Sequence, residues 1–350
     1  MKKLIIGIDF SKKTLNFCIL GASVDDVLGE GVLPNSRGGW SKLLRTARKA
    51  GRAAGCDGLL FCGEDTGLYS QPAAEWLTAS GCGVWLGNAL AMSREMETWR
   101  EKTDASDARR IARYAFRNSD RAVGYVPMTA AVKRLKLLDK EHRALTDTKV
   151  RLRNIIGQMS WLGAGGMDGL EAVIAEVEVR LRETDRKITA LLKSDPELAE
   201  TAALAVSVPG ISYLTAAAVI IDTRNFTRFT DGRKYAAHTG CVPYRHESGT
   251  SIRRRPHVSK YSNRRINSML TQGAVSIMTR NRPMMEYAAR KRAEGKNTGF
   301  IINNIRSKIV KRLFAVIRGR TPFRDDYRSP LEQSRKCDGN SKKTQGIRNI

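Results

Sequence analysis

Two runs of apolar residues at heptad spacing occupy the middle of the chain and constrain its fold most strongly. They cover residues 135–159 and 170–191, and His142 and Lys149 are polar members of the first run. Apolar side chains that recur every three and four residues lie along one face of a helix, which then needs a partner. Because the glycine-rich residues 163–166 interrupt the pattern, the sequence predicts two long helices in a helical hairpin or coiled coil.

The hairpin divides the chain into regions. Pro127 precedes it, and Asp195-Pro196 follows it. We predict an α/β domain at 1–127, the hairpin or coiled-coil segment at 128–195, a mostly α-helical basic domain at 196–325, and a flexible tail at 326–350. The hairpin segment suits an internal spacer and a dimerisation arm equally well, because apolar seams serve both.

The first region alternates short apolar strands with amphipathic helices. The predicted strands are 3–9, 14–20, 27–33, 58–63 and 83–86, and the predicted helices are 38–54, 70–80 and 104–117. The first two strands should form a hairpin. Strands that alternate with helices predict an α/β layer domain.

The last region carries almost all of the excess charge. The 350 residues include 61 Lys and Arg against 35 Asp and Glu, a net charge of +26. Residues 1–120 contribute +3, residues 121–200 contribute +2, and residues 201–350 contribute +21. With 41% hydrophobic residues, the composition is that of a globular protein. A basic region of this size favours a polyanionic partner, most simply nucleic acid.

The cysteines and the longest uncharged segment indicate neither a zinc site nor a membrane span. The six cysteines form no Cys-x-x-Cys pair and the histidines number four, so a zinc site and a disulfide framework are not expected. Residues 201–221 are long enough to cross a bilayer, but Pro209-Gly210 divides them. We predict two short buried helices joined by a turn, in a cytoplasmic protein.

The Pro209-Gly210 turn has a second interpretation. The segment VPGISYLTAAAVI at 208–220 resembles helix-hairpin-helix turns, in which backbone N–H groups approach a phosphate. Pro-Gly also ends ordinary helices, so both interpretations stay open. Further helices are predicted at 231–239, 262–280, 284–294 and 299–318.

Four carboxylates of the first region occupy strand ends and a helix start. Asp9 and Glu64 end two apolar strands, and Asp104 and Asp107 lie at a predicted helix start with i, i+3 spacing. Converging carboxylates bind hard divalent cations, of which Mg²⁺ suits phosphodiester transfer. Each acid alone could be a turn residue or a helix cap, but four in such positions favour a metal site. Other acids lack this context: Asp65, Glu95, Glu97 and Glu101.

A dense basic segment, residues 240–265, surrounds Ser248. Its cations oppose one acid, Glu247, and are Arg245, Arg253, Arg254, Arg255, Lys260, Arg264 and Arg265. This density predicts contact with a phosphate backbone. A serine hydroxyl is a weak nucleophile on its own, although arginines and a metal would stabilise charge on an attacked phosphate. From the residues alone, other serines are equally available: Ser251, Ser259 and Ser262.

Five motifs follow one another in order over roughly residues 4–320. They are GIDFSKKTLN, GEDTGLYSQPAAEWL and KTDASDARRIA in the first region, then VPGISYLTAAAVI and YAAHTGCVPYRHESGTSIRRRPHVSK in the last. Together they resemble the DEDD-type transposases of insertion sequences, the insertion sequence one-hundred-and-ten (IS110) family. Each motif alone is weak, whereas their common order is specific.

The resemblance implies a RuvC-like (ribonuclease H-like) first domain, a coiled coil and a C-terminal transposase domain. The family's acidic tetrad falls on Asp9, Glu64, Asp104 and Asp107, which would bind Mg²⁺. The family's nucleophilic serine falls on Ser248. In the family that serine attacks DNA and forms a covalent phosphoserine, and the acids of one subunit complete the site with the serine of another.

The resemblance also implies partners and a location. The partners are donor and target DNA, a noncoding bridge RNA that pairs with both, and further copies of the chain, as a dimer and as a tetramer in the synaptic complex. The location is the nucleoid of a prokaryotic cytoplasm. Three positions depart from the family: Asp65 replaces alanine, Ser212 replaces glycine, and SKYSNRR lacks the glycine of the family's SKxG segment.

Three functional hypotheses follow from these observations. The first is an RNA-guided DNA recombinase. The second is a metal-dependent endonuclease of the junction-resolving kind, which hydrolyses DNA and leaves Ser248 idle. The third is a nucleic-acid binder without activity, which the four carboxylates argue against because they would repel a bound polyanion. Rejoined products would separate the first hypothesis from the second.

Overall fold

The computed structural model describes residues 3–87, 92, 104–163, 167–242, 244–248, 252–257 and 262–324, with the backbone alone at 104–105, 244–248 and 252–257. The chain divides into two compact units, Met1–Pro127 and Met128–Ile350. The expected tail, residues 326–350, lies outside the described residues.

The first unit is built on a mixed five-stranded sheet. Its strands are β1 (Lys3–Phe10), β2 (Thr14–Leu20), β3 (Val27–Pro34), β4 (Gly58–Glu64) and β5 (Gly83–Gly87), in the order β3-β2-β1-β4-β5. The first three strands are antiparallel neighbours, and β4 and β5 run parallel to β1. The predicted hairpin start and the mixture of strands with helices are confirmed.

Helices cover both faces of this sheet. They are α1 (Arg37–Ala53), α2 (Gln71–Ala79) and α3 (Asp104–Arg117), followed by a short 3₁₀ turn at Ser119–Arg121. Leu4 and Ile6 of β1 pack in one core with α1 and α2, whereas Ile5 packs in a second core with α3. Successive strand residues point to opposite faces, so this alternation of β1 builds a three-layer unit.

The second unit begins with the predicted helical hairpin, formed by α4 (Ala130–Trp161) and α5 (Asp168–Ser194). The polar members of the apolar seam pair across the hairpin. His142 Nε2 lies 3.0 Å from Asp185 Oδ1, and Lys149 Nζ lies 2.9 Å from Glu178 Oε1. The hydrogen bond from Lys149 lowers the pKa of Glu178 below its ordinary value. These pairs fix the register of the two helices, because each polar residue meets its partner at one position only.

The rest of the second unit is mostly helical, with one two-stranded sheet. The elements are α6 (Ala199–Ser207), α7 (Tyr213–Thr223), α8 (Gly232–His238), β6 (Tyr244–Ser248), β7 (Ile252–His257), α9 (Arg264–Arg280), α10 (Arg282–Ala293) and α11 (Thr298–Gly319). The two short helices predicted on either side of Pro209-Gly210 are confirmed as α6 and α7. Among the residues that the structure describes, no helix combines the length and the apolar character needed to cross a membrane.

The turn between α6 and α7 packs closely against α9. Gly210 has φ +92°, which favours glycine, and a Cβ atom on Gly273 would lie 2.1 Å from Gly210 O. The turn therefore has a structural reason for its glycine. Ser212, which replaces the family's second glycine, caps α7 by accepting a hydrogen bond from Thr215 N at 3.2 Å. The phosphate-binding interpretation of the turn stays a prediction.

The antiparallel pair β6 and β7 was not expected from the sequence. Its strands read YRHES and IRRRPH, which lack the alternation of apolar and polar residues that predicts a half-buried strand. Strand pairing is made by backbone hydrogen bonds, which polar side chains do not prevent.

Candidate functional site

Asp9 and Glu64 lie side by side at the ends of β1 and β4. The strands are parallel, and their register pairs Ile8 with Gly63. The next residues along the two strands, Asp9 and Glu64, are therefore level with each other and share a face of the sheet. Both side chains are half-buried. The sheet thus fixes two of the predicted acids at one edge.

The backbone of α3 rests directly on this face of β1. Gly7 precedes Asp9 by two residues, so both belong to the same face. A Cβ atom on Gly7 would lie 2.3 Å from Ala112 N and 2.4 Å from Ala108 O. Only glycine permits so close an approach, and α3 therefore covers the face that carries Asp9.

An ion pair places the middle of α3 at the level of Gly7. Arg109 donates two hydrogen bonds to the carboxylate of Glu30 in β3. Glu30 pairs with Cys18 of β2, and Cys18 pairs with Gly7 of β1. The hydrogen bond from Arg109 holds the pKa of Glu30 below its ordinary value. The pair is therefore ionised at neutral pH and ties α3 to β3, the edge strand of the sheet.

A second ion pair gives the direction of α3. Arg113, one turn further along, lies 3.0 Å from Asp25 in the turn before β3 (Nη2 to Oδ1). That turn is next to the end of β1 opposite Asp9, so α3 runs antiparallel to β1. Four helical residues rise about 6 Å, close to the length of two strand residues. Counting back one turn from Arg109 therefore brings residues 104–107 to the level of Asp9.

The backbone thus brings the four predicted acids to one end of the sheet. Asp107 is half-buried and accepts a hydrogen bond from Arg110 at 3.0 Å (Nη1 to Oδ1). The side chain of Asp104 lies outside the described residues. Among the side chains that are described, no group of three or more His, Cys, Asp and Glu is arranged to hold a metal ion. The tetrad as a metal site therefore stays a prediction.

The chemistry of this face suits an oxygen-liganded cation. Cys18 and Cys62 both pair with Gly7 and so share the face of Asp9. Burial raises the pKa of Cys18 to about 11 and that of Cys62 to about 12. Both remain protonated thiols at neutral pH and are poor metal ligands. The carboxylates of Asp9 and Glu64 lie on the same face, and carboxylate oxygens are ligands that Mg²⁺ prefers.

Asn16 is a member of this region that the sequence reasoning missed. It pairs directly with Asp9 across β1 and β2 and is only 5% exposed. A buried amide beside a half-buried carboxylate can orient that carboxylate by hydrogen bonding. The signal was present in the sequence, because Asn16 is the one polar residue between Leu15 and Leu20, a run that is otherwise apolar.

Ser248 is the last residue of β6, one of the two strands that we call the basic hairpin, β6 and β7. The backbone register pairs it with Ile252, and pairs Glu247 with Arg253. The predicted nucleic-acid-binding residues Arg245, Arg253, Arg254 and Arg255 all lie on the two strands of this hairpin. Lys260, with the alternative serines Ser251 and Ser259, lies outside the described residues.

The segment that leads into the basic hairpin is held by a network of side chains. Asn267 of α9 donates from Nδ2 to Thr239 O at 2.8 Å. Arg306 of α11 donates to Asn267 Oδ1, to Thr271 Oγ1 at 3.0 Å and, from Nη2, to Asn303 Oδ1 at 2.7 Å. Thr239 is fully buried. The segment before the hairpin is therefore held at Thr239 by α9, which α11 braces in turn, through residues that no sequence pattern singled out.

A half-buried contact between a histidine and a carboxylate precedes this anchor. His238 Nε2 lies 3.1 Å from Asp222 Oδ2. Burial opposes ionisation of Asp222, but the hydrogen bond and the charge of His238 outweigh it and lower the pKa of Asp222 below its ordinary value. This pair ties the end of α8 to α7.

Two family models match the chain one after the other. A model of the DEDD-type IS110 transposases, described as a transposase, matches residues 6–159. A model of the transposase IS116/IS110/IS902 family matches residues 202–289. The chain belongs to the IS110 family of transposases. It is thus an enzyme that acts as a transposase or DNA recombinase, and its DEDD domain implies dependence on a divalent metal.

This transposase is similar to named relatives over different shares of its length. It is 24% identical over 331 residues to the pilin gene-inverting proteins of Moraxella bovis and of Moraxella lacunata, which is 92% of this chain and 98% of each relative. It is 26% identical over 163 residues to a 43.6 kDa protein of insertion element IS110 from Streptomyces coelicolor, which is 45% of this chain and 39% of that protein.

The two arginines at the start of α9 have different surroundings in this transposase. Arg264 is exposed. Arg265 forms a two-pronged ion pair with Asp139 of α4, which is only 7% exposed. Both were predicted to bind nucleic acid. Arg265 is engaged in joining the helical hairpin to α9, because a buried carboxylate needs a partner, and any nucleic-acid contact of Arg265 would compete with this pair.

Proposed function

We propose that this transposase cuts and rejoins the donor and target DNA of an insertion sequence through a phosphoserine intermediate. Ser248 is the nucleophile, and Asp9, Glu64, Asp104 and Asp107 hold Mg²⁺ in a RuvC-like domain. The observation that supports this most is the level placement of Asp9, Glu64 and the first turn of α3 on one face of the sheet.

The carboxylates have the chemistry that the proposed metal requires. They are oxygen donors on a sheet edge and on a helix that packs closely against the sheet, so the fold fixes the backbone positions from which they would bind the ion. When bound, Mg²⁺ would stabilise the charge that builds on the attacked phosphate. Arg109, through its ion pair with Glu30, positions the helix start that carries two of the four acids.

The serine step conserves the energy of the phosphodiester bond. Ser248 Oγ forms a bond to the DNA phosphorus while the bond from phosphorus to a deoxyribose oxygen breaks. The proton of the serine hydroxyl leaves as the deoxyribose oxygen gains one. Attack by a deoxyribose hydroxyl on the phosphoserine reverses the exchange and joins the new strand. The cations of the basic hairpin would stabilise the phosphate charge in both directions.

The similarity to pilin gene-inverting proteins favours rejoining over simple cutting. A protein that inverts a gene, as the name of those relatives states, must join DNA ends as well as break them. We extend this to the present transposase as part of the proposal. The proposed division of labour is catalytic acids in 1–127, a helical spacer or dimerisation arm in 128–195, and the serine with the nucleic-acid surface in 196–325.

The proposed partners are those implied by the family. A bridge RNA would guide the recombination, and homo-oligomers would bring the acids of one copy to the serine of another. The +21 charge of residues 201–350 supports a large polyanionic surface of DNA and RNA. The protein would then reside with the nucleoid in a prokaryotic cytoplasm.

The test of the serine is a covalent adduct with DNA. Wild-type protein, divalent metal and cleavable DNA are mixed and quenched with denaturant, and protein-linked DNA is measured. We expect Ser248→Ala to abolish the adduct and the matched variant Ser262→Ala to keep it. An adduct of undiminished yield with Ser248→Ala would show that another residue is the nucleophile.

A second function is favoured by the match of the DEDD model to the acidic domain. In this alternative the same acids bind a metal that activates water, and Ser248 is idle, as in a junction-resolving endonuclease. The products separate the two functions. Hydrolysis leaves nicked DNA with unjoined ends and no protein attached, whereas the proposed recombination leaves rejoined strands.

A further inference from the structure

A group of cations gathers around one tyrosine of the second unit. We call it the Tyr287 cluster; it comprises Tyr287, Arg290 and Lys291 of α10 with Lys308, Lys311 and Arg312 of α11. It is separate in sequence from the basic hairpin that carries Ser248.

The tyrosine ring is a fixed platform for two of these cations. Lys308 Nζ lies 3.6 Å from the centroid of the Tyr287 ring, and Arg290 Cζ lies 5.7 Å from it. The ring packs against the core of the unit. Tyr287 Oη also accepts a hydrogen bond from Asn304 Nδ2 at 3.2 Å. The two cations are therefore held at a defined place by cation–π attraction, in contrast to side chains that move through solvent.

The positive charges of the cluster repel one another. Burial lowers the pKa of Lys308 from its ordinary value, and the charges of Arg312, Arg290, Lys291 and Lys311 lower it further. The charge of Lys291 is balanced by an ion pair with Glu294, in which Nζ and Oε2 are 2.5 Å apart. In the part of the chain that the structure describes, Arg290, Lys308 and Lys311 form no ion pair. The fold thus keeps like charges together at a cost, which a bound anion would relieve.

The arrangement selects the type of anion. Lys308 and Lys311 are three residues apart on α11 and so lie on one face of the helix. Arg290 reaches the same ring from α10. Cations spread over two helices match a ligand with repeated negative charges, as in a phosphodiester backbone, better than one small anion.

We propose that the Tyr287 cluster is a second binding site of this transposase for the phosphodiester backbone of nucleic acid, in addition to the basic hairpin. This inference rests on the proposed function in that the substrate is nucleic acid, but it does not depend on serine chemistry. Duplex DNA and structured RNA offer the same backbone charge, so the experiment measures both.

The experiment compares two triple variants of the full chain. The first, Arg290→Gln with Lys308→Gln and Lys311→Gln, removes three charges from the cluster. The second removes three exposed charges from α1 in the other unit: Lys42→Gln, Arg45→Gln and Lys49→Gln. Both lower the net charge equally, so a difference between them reports the position of the charges and not their sum.

Binding is measured by fluorescence anisotropy with a labelled duplex of arbitrary sequence and with a labelled structured RNA, each over a salt series. For the cluster variant we expect affinity for at least one of the two to fall on the order of tenfold at physiological salt, and the salt slope to fall by roughly 2 to 3. The α1 variant should stay close to wild type. A loss of affinity for DNA alone, for RNA alone or for both identifies which polymer the cluster binds.

Equal affinities and slopes of the cluster variant and the α1 variant, with both polymers, would overturn the proposal. Thermal melting checks that the variants are folded, and if the triple variant is not, the double variant Arg290→Gln with Lys311→Gln changes exposed residues only. Ser248→Ala should bind like wild type. The adduct measurement with Ser248→Ala therefore tests the proposed serine chemistry, and the binding measurement with the cluster variant tests this site separately.

Discussion

The α/β unit and the helical unit position their candidate functional residues by different means. In the first unit, strand register and one close helix contact fix Asp9 and Glu64, so the backbone itself sets the geometry. In the second, the basic hairpin has a polar sequence, and the segment before it is held by side chains, Asn267 and Arg306 among them. Rigid placement suits metal ligands, whose spacing must be exact to within fractions of an ångström, whereas a surface that grips a long polyanion needs charge more than precise geometry.

The largest expected effect separates catalysis from binding. Asp9→Asn should lower DNA cleavage by about a thousandfold or more, since a metal that loses a ligand loses several kcal/mol of transition-state stabilisation. Nucleic-acid affinity should stay level or rise, because the variant removes a negative charge. Single-turnover cleavage and anisotropy on the same sample measure both. Asp65→Asn, a change of the same kind at an exposed neighbour, is the matched control. Equal activity of the Asp9 and Asp65 variants would show that Asp9 has no role in catalysis.

The next effect distinguishes the adjacent arginines of α9. Arg265→Ala leaves the buried Asp139 carboxylate without its partner, so we expect the free energy of unfolding to fall by about 3–5 kcal/mol. Arg264→Ala should leave stability within about 0.5 kcal/mol of wild type, because the side chain is exposed, and should weaken nucleic-acid binding. Urea unfolding and anisotropy on both variants measure this. If Arg264→Ala were the more destabilising of the two, the structural role given to Arg265 would be wrong.

A smaller effect tests how the close packing of α3 on β1 positions the carboxylates at the end of the sheet. Gly7→Ala places a Cβ atom against the backbone of α3 and should cost roughly 1–3 kcal/mol of stability, with loss of cleavage as the helix shifts from the sheet. Gly29→Ala, another strand glycine, would meet only Ile19 Cδ1 at 3.9 Å and is the control. Thermal melts and cleavage rates compare the two. The close contact between α3 and β1 would be in doubt if both alanines were tolerated alike.

The last predicted effect concerns pH and the contact between Asp222 of α7 and His238 of α8. The pKa of Asp222 is lower in the folded protein than its ordinary value, so the ionised form stabilises the fold. That contribution is fully present above the unfolded pKa of about 3.9 and is lost as pH falls through the folded pKa. Asp222→Asn should therefore be less stable than wild type by roughly 1.5–3 kcal/mol at neutral pH, the value of a hydrogen bond to a charged group.

Urea unfolding of wild type and Asp222→Asn between neutral pH and pH 3 tests the direction of this pH dependence. The difference in free energy should shrink as the solution becomes acidic. A difference that is constant over the whole range would mean that the charge of Asp222 does not carry the interaction with His238.

Periodic patterns made much of this fold predictable. The heptad seams gave the helical hairpin, and strand-end positions pointed to Asp9 and Glu64, because both are local properties of the sequence. The contacts that position α3 were not predictable, since Arg109 and Glu30 are far apart in the chain and neither is unusual alone. The same holds for Arg265, whose basic neighbours suggested a surface role while its partner Asp139 lies on another helix. The strands β6 and β7 were missed because polar residues carry no periodic signal.

We propose that the acids of one copy of the chain and the serine of another copy together form the catalytic site. Mixing two inactive variants tests it most directly: Asp9→Asn, which keeps the serine, and Ser248→Ala, which keeps the acids, each with a tag of different size. We expect no protein–DNA adduct from either variant alone and, in the mixture, an adduct on the Asp9→Asn chain. No adduct in the mixture under conditions where wild type forms one, or an adduct on the Ser248→Ala chain, would contradict it.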